Sequence, residues 1–389
     1  MTQAISGDIS ASFSLRIVTR AELKDCDAWT SAFAASRKDH RYYEIVEDTL
    51  RDQFEYGYLA IVDAAGTIRT VQPFFLLDQD LLEGLGPEWR SVSFIRRYYP
   101  RLFKLRTMMV GCSAGEGHLA EGDGLPPALI AKILSDGIVQ IARSIRARMI
   151  VLKEFPAEYR HLFNCLLEKG FTRVPSMPMT IMDTGGFPDF DAYALGKLSG
   201  QTRRQLRKNF KATEGIEISM SVTDDAGSSV GEIHRLYLQV FERSKLHFEK
   251  LTEDYFRQLG TRMSDKTRFF FWRRDNVLVA FALCMVESGQ LFYEYVGLEY
   301  GVALDLHLYH YVTRDLFNWA VSNRFSCIRS TGLNYEPKLR LRHRLDPIDL
   351  YVRHTSRLAN AVLKRVLPRI VPARYDAVLK KFPDYGSLW

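Results

Sequence analysis

A glutamate interrupts an otherwise apolar and aromatic run, Leu-Phe-Tyr-Glu-Tyr-Val-Gly, at residues 291–297. A carboxylate buried on a strand has its pKa raised, and that suits a general base. Strand alternation sets Tyr293 and Tyr295 on the face opposite Glu294; the plainer alternative for Glu294 is a paired or edge-strand carboxylate. A second constellation is Tyr335-x-x-Lys338 in STGLNYEPKL, residues 330–339. Its amine can support a developing negative charge on an acyl group or a substrate phosphate. Arg340, Arg342 and Arg344 follow directly, so the alternative is a solvated basic run. A third is LSGQTRRQLRKNFKATEG, residues 198–215, with no acid before Glu214. On a helix, Arg203, Arg207 and Lys211 form one ridge and Arg204 and Lys208 the next, with Leu206 and Phe210 beside them. Such a face suits the phosphates of a nucleotide-sugar, a lipid carrier or transfer RNA, or it is a solvated face.

Two glycine loops each follow a strand and open a long helix: CSAGEG, residues 112–117, and LEYGVA, residues 298–303. Amide groups and the helix dipole favour phosphate at such a place. Neither loop is G-x-x-x-x-G-K-[ST] or G-x-G-x-x-G. Both match x-x-G-x-[GA], which also describes a turn that needs glycine. His307 and His310 are spaced i, i+3 with Asp305 nearby, but no H-E-x-x-H or third ligand is in register. Helix packing with Tyr309 is the favoured reading, and no metal is expected. Cys112 lacks an identifiable His or Asp partner for a nucleophilic role. The five cysteines are scattered and form no C-x-x-C, as expected for reduced thiols.

These residues must be positioned by a mixed α/β chain. Strands are expected at 13–19, in two runs over 58–79, and at 107–111, 149–155, 179–183, 216–222 and 325–331. A three-stranded meander is expected over 267–300, turning at Asp275–Asn276 and Ser288–Gly289. Helices are expected at 21–36, 44–53, 126–148, 158–170, 230–245, 253–263 and 304–322. Strand, two helices, antiparallel meander, glycine loop, helix, strand occurs twice, without residue-level repetition.

That order resembles the GNAT superfamily of acyltransferases, in which a [QR]-x-x-G-x-[GA] loop holds the pyrophosphate of an acyl coenzyme A. The doubled module resembles the Fem peptidoglycan-bridge aminoacyltransferases and the FemAB-related acetyltransferases of exopolysaccharide loci. The segment YALGKLSGQTRRQLRKNFKATEG is similar to the stretch those proteins carry where their second domain starts. STGLNYEPKL is similar to their Gly…Tyr-x-x-Lys. The resemblance covers roughly residues 13–352 and implies an α+β fold of tandem GNAT-like modules. Each would be a mostly antiparallel mixed sheet flanked by helices, at 1–187 and 188–352, with a helical tail at 353–389. It implies acyl coenzyme A as co-substrate, held at Gly301, Val302 and Ala303, with Glu294, Tyr335 and Lys338 as catalytic residues. Arg203, Arg204, Arg207, Lys208, Tyr293 and Tyr295 would meet substrate. The position of the family's Gln/Arg is Cys112 in the first loop and Leu298 in the second, so each lacks a side chain that orients the diphosphate.

The formal charge of +7 is uneven: residues 337–389 hold twelve of the 53 Lys/Arg and four of the 46 acids. Pro368 and Pro372 divide the basic, amphipathic tail into two short helices. It is expected either to cap the second module or to lie on the inner face of a membrane. No apolar run reaches membrane-spanning length, and MTQAISGDIS does not read as a secretory leader. A cytoplasmic, bacterial protein is expected. The absence of helix-turn-helix or zinc patterns argues against sequence-specific DNA binding. The leading expectation is an N-acyltransferase acting from acyl coenzyme A on an amine of a small-molecule, sugar or peptide acceptor. The alternatives are a Fem-like transferase using aminoacyl-transfer RNA on a cell-wall precursor, and a non-catalytic binding protein that kept the fold. The Fem proteins often insert a coiled-coil arm, and no such heptad run is present.

Overall fold

The computed structural model describes residues 12–80, 104–244 and 247–389. The leader reading of residues 1–10 and the end of the helix expected at 230–245 lie outside the described residues. The chain forms two mixed seven-stranded sheets with twelve α-helices among the described residues.

The first sheet is built from β1 (Phe13–Val18), β2 (Glu55–Asp63), β3 (Ile68–Asp80), β4 (Lys104–Val110), β5 (Met149–Pro156) and β6 (Thr172–Pro175). The second uses β7 (Met179–Asp183), β8 (Ser219–Thr223), β9 (Thr267–Arg274), β10 (Val277–Glu287), β11 (Gln290–Leu298), β12 (Cys327–Ser330) and β13 (Arg344–Asp346). The remaining strand, β14 (Ile348–His354), returns to the first sheet. The orders are β1-β2-β3-β4-β5-β14-β6 and β8-β9-β10-β11-β12-β7-β13. Each sheet therefore takes its sixth strand from the other half of the chain: β14 pairs antiparallel with β5 and β6, and β7 with β12 and β13. A division at 187/188 leaves β7 apart from the sheet in which it is hydrogen-bonded.

The helices are α1 (Asp27–Ser31), α2 (His40–Leu50), α3 (Pro127–Ser144), α4 (Asn164–Glu168), α5 (Phe190–Lys197), α6 (Gly200–Ala212), α7 (Val230–Arg243), α8 (Glu253–Arg262), α9 (Tyr300–Ala303), α10 (Leu308–Ser322), α11 (Tyr335–Arg340) and α12 (Arg357–Val366). Local chemistry fixes several starts. The Asp39 carboxylate accepts from the Arg41 amide before α2, and Ser199 Oγ accepts from the Thr202 amide, 3.1 Å, before α6. The meander turns where expected, with Asp275, Asn276, Ser288 and Gly289 all at positive φ. The helix expected over 158–170 is shorter, a 3₁₀ turn at Ala157–Arg160 and then α4.

Three apolar layers result. α3 and α4 cover one face of the first sheet, with Ile130, Leu134, Ile138 and Phe163 buried there. The second sheet is covered on one face by α5, α6 and α10 through Phe190, Leu206, Leu308 and Phe317. Between the halves lies a shared core, with Trp29, Tyr42 and Phe75 from one and Tyr237, Tyr255 and Phe292 from the other. Tyr42 and Tyr255 join their hydroxyls at 2.8 Å across it.

The tail departs from the expected cap on the second module. It leaves β14 and packs on the first sheet, where the Asn360 amide donates to the Gly170 carbonyl at 2.9 Å. Val371, Leu379, Phe382 and Leu388 enter the shared core. Its contact with the second half includes the Phe382 ring against Tyr335.

Candidate active site

β12 pairs with β11 in parallel over three positions, Leu291↔Ile328, Phe292↔Arg329 and Tyr293↔Ser330. Among the described residues, β11 continues to Leu298 with β10 alone as its strand neighbour. The second sheet thus opens after Tyr293, with the edge of β11 from Glu294 to Leu298 facing no strand among the described residues. The first sheet has the same parallel pair, β4 and β5. There the glycine loop crosses the space: the Gly117 amide donates to the Lys153 carbonyl, 3.1 Å, and the Glu154 carbonyl, 3.2 Å. A Cβ on Gly117 would lie 2.6 Å from that Lys153 oxygen. The loop sequence therefore closes the first opening and leaves the second.

Lys338 lies just past the end of β12, where its Nζ donates to the carbonyl of Thr331. The side chain is buried, and burial pushes its pKa down from 10.5 to about 7. Beside it, Thr180 and Ser330 join hydroxyls at 2.8 Å, and His343 Nδ1 lies 3.3 Å from Thr180 Oγ1. Burial, then the Lys338 charge, holds the His343 imidazole down to about 3. Tyr335, expected to act with Lys338, is engaged elsewhere. Its hydroxyl donates to the Pro178 carbonyl at 2.8 Å within the shared core, and burial raises its pKa.

Glu294 is buried as expected, but neither carboxylate oxygen is free. Arg37 Nε donates to Oε1 at 2.8 Å, and Lys38 Nζ lies 3.6 Å from Oε2. Arg37 also pairs with Glu116, and Lys38 Nζ donates to Glu116 Oε2 at 2.7 Å. The guanidinium stacks 3.6 Å from the centre of the Phe292 ring. Arg37 and Lys38 are 1% and 0% exposed, so this is an ion cluster inside the interface of the two halves. Its carboxylates come from the first glycine loop, from β11 and, through Glu287, from the end of β10. Sequence reading missed both cations, because Ser-Arg-Lys-Asp-His-Arg reads as a solvated loop.

The tyrosines also need a correction. The β10–β11 register slips where Cys284 pairs with Tyr293 and Leu283 with Tyr295. Glu294 is the extra residue of that bulge. Tyr293 and Tyr295 consequently lie on opposite faces, Tyr293 against the outer core and Tyr295 against the shared core beside Glu294. Tyr295 donates its hydroxyl to Glu249 Oε1 at 2.9 Å. Burial pushes the Glu249 carboxyl above its ordinary range, opposed by the Lys153 charge and the Tyr295 hydrogen bond. Lys153 in turn donates to the Gly115 carbonyl, 2.8 Å, and to Glu154, 2.6 Å. Glu249 is a third residue that the sequence did not reveal; the adjacent Phe248, ring-stacked on Phe54, was an apolar signal beside it.

Gly301, Val302 and Ala303 lie in the four-residue α9. Their loop is already occupied by its own side chains. Glu299 Oε1 accepts from the Gly301 amide at 3.4 Å, and Gln239 Oε1 from the Tyr300 amide at 3.0 Å. Glu299 is held there by Arg235 and Gln239. The amide at which a coenzyme-A diphosphate was expected thus meets a carboxylate instead, and a Cβ on Gly301 would find nothing nearer than Glu299 Oε1 at 3.6 Å.

On α6 the expected wheel is realised. Leu206 is buried, while Arg204, Arg207, Lys208 and Lys211 are exposed and form no ion pair among the described residues. Arg203 is half-buried and donates to the Leu195 carbonyl at 2.7 Å. Burial raises the Cys112 thiol to about 11, which removes it as a nucleophile. His307 and His310 have ring centres 6.4 Å apart. No group of three His, Cys, Asp or Glu able to hold a metal occurs among the described residues.

Residues 93–340 match the model of the FemAB-like family, described as peptidoglycan biosynthesis and recognition. No curated protein sequence matches the chain. Among solved structures, FemX shares 11% identity over 86% of this chain and 96% of its own, with a TM-score of 0.50. A conserved protein of unknown function from Bacteroides thetaiotaomicron shares 10% identity over 87% and 98%, also with a TM-score of 0.50. A tandem GNAT protein from the clavulanic acid pathway gives 10%, 88%, 99% and 0.49. The first two share the fold, and the family match spans well over half of the sequence. The doubled sheet and this match agree: the chain belongs to the FemAB-like family of transferases.

Proposed function

We propose that the second half transfers an acyl or aminoacyl group to an amine of a cell-envelope precursor, with the reaction at the opening of β11 from β12. The observation that carries this is Lys338, a buried amine with a pKa of about 7 at the end of β12. An amine so poised donates a hydrogen bond to the oxyanion of a tetrahedral intermediate and strengthens as charge develops there. The unpaired edge of β11 offers main-chain groups to an extended, peptide-like substrate. The acceptor ammonium must lose a proton before attack. Glu249 fits that task better than Glu294, because its raised carboxyl is held by a neutral tyrosine hydroxyl whereas Glu294 is ion-paired on both oxygens.

Of the two donors, aminoacyl-transfer RNA has the better support. The α9 loop presents Glu299 in place of a diphosphate cradle, while α6 presents unpaired cations suited to a nucleic-acid backbone. Acyl coenzyme A is the second reading, supported by the GNAT-like order of both sheets. Purified protein is mixed with a stem-peptide precursor and either labelled aminoacyl-transfer RNA or labelled acetyl coenzyme A. Label passing from the RNA to the peptide, and lost in Lys338→Met, is the expected result. Label passing from coenzyme A assigns the second reading, and no transfer from either donor refutes the function.

A further inference from the structure

No Asp or Glu occurs between Asp349 and Asp376, a stretch that carries Arg353, Arg357, Lys364, Arg365, Arg369 and Arg374. Its centre is α12, ten residues long. Asn360 is buried against the first sheet and Leu363 and Leu367 pack on the shared core. The opposite ridge carries Leu358, 84% exposed, and Val362, 61% exposed, one turn apart. Solvated helix faces seldom present their largest apolar residues in line.

The surroundings are cationic as well. Arg357, Lys364 and Arg365 are exposed on the helix, and Arg143 reaches the same place by donating to the Thr355 carbonyl at 2.8 Å. None of these four makes an ion pair among the described residues. Arg353 lies at the base of the helix, its pKa lowered by burial and then by Arg143 and Arg357.

We propose that α12 docks on an anionic bilayer surface, with Leu358 and Val362 entering the acyl boundary and the surrounding arginines and lysine meeting lipid phosphates. Two features together select this partner. Uncompensated cations alone would suit any polyanion, and an exposed apolar pair alone would suit many proteins. An apolar ridge framed by cations on a helix lying flat on the fold matches a lipid interface. The proposal is independent of the transferase reading, because its readout is binding.

The test is flotation of the full chain with vesicles of phosphatidylcholine alone or with about a third phosphatidylglycerol. Binding is expected to the anionic vesicles only and to be released by salt. L358S/V362S keeps every charge and should partition about tenfold less. R357Q/R365Q keeps the apolar ridge and should lose about tenfold or more. Leu358→Trp gives a reading that does not depend on comparing variants: its emission should shift to the blue on anionic vesicles. Equal binding to both vesicle types, undiminished binding by L358S/V362S, or unchanged emission from the Trp variant overturns the proposal. It is also overturned if transfer RNA strips the protein from vesicles and binds L358S/V362S as tightly as the parent, since the patch would then serve nucleic acid.

Discussion

Replacing Lys338 with Met should make the protein more stable at neutral and acid pH while abolishing transfer. The folded chain lowers this amine from 10.5 to about 7 by burial. At about 1.4 kcal/mol per pH unit, that gap sets a ceiling of about 5 kcal/mol on the penalty for burying the charge. Below pH 7 the amine is charged in both states, and the folded protein bears the whole penalty. Between pH 7 and 10.5 the unfolded chain binds a proton that the folded chain lacks, so stability rises with pH. Above 10.5 the amine is neutral in both states and the penalty is gone. Methionine matches the length without the charge, but leaves the Thr331 carbonyl without its donor, a loss of about 1–3 kcal/mol. K338M should therefore exceed the parent by about 2–4 kcal/mol at pH 6.5 and fall about 0.5–2.5 kcal/mol below it near pH 10.5. Urea unfolding at pH steps from 6.5 to 10.5 measures the difference. His343, held down to about 3 from 6.5, adds its own slope only below that window. Parallel stability curves for the two proteins would refute the burial argument, and with it the claim that a strained amine is retained for chemistry.

Three further perturbations test other parts of the structure. Arg37→Ala leaves Glu116 and Glu294 buried without their shared guanidinium and should cost about 3–5 kcal/mol in chemical denaturation; a cost under about 1 kcal/mol would mean that the cluster is hydrated. Gly117→Ala places a methyl group 2.6 Å from the Lys153 carbonyl and 2.7 Å from the Phe155 ring, and should destabilise by about 1–3 kcal/mol; an unchanged melting temperature would show that the first opening is not sealed by close packing. R204Q/R207Q/K208Q should leave stability within about 0.5 kcal/mol, because the three side chains are exposed and unpaired. It should weaken transfer RNA binding and flatten its salt dependence, and unchanged affinity would return α6 to a solvated face.

The element order was legible because strand and helix periods are local. The meander of β9, β10 and β11 turns at Asp275–Asn276 and Ser288–Gly289, where the residues themselves favour positive φ. The Tyr-x-x-Lys spacing singled out Lys338, but not that its amine is buried nor that Tyr335 is a core residue. The bulge at Glu294 was not, since an inserted residue leaves the composition of a strand unchanged while reversing every side chain beyond it. Arg37 and Lys38 were illegible for a different reason. Their partners Glu116 and Glu294 stand far along the chain, and a cation's burial is decided by those partners rather than by its neighbours in sequence. Strand exchange was hidden for the same reason, since β14 reads equally well as the last strand of either half.

That exchange fixes when the protein can finish folding. Among the described residues β14 is the only strand neighbour of β6 in the first sheet, so that pairing waits until His354 has been synthesised. β7, made early, must wait with its apolar residues unpaired until β12 and β13 emerge. At 5–20 residues per second, the interval is roughly ten to forty seconds on the ribosome. Through that time the first sheet carries an open slot of strand width between β5 and β6 while β7 stands as a strand without partners, and both are complementary to extended chain from any nascent neighbour. The exchange that joins the halves thus makes biosynthesis the stage of greatest exposure to aggregation, and faster translation or a chaperone that holds extended segments would relieve it.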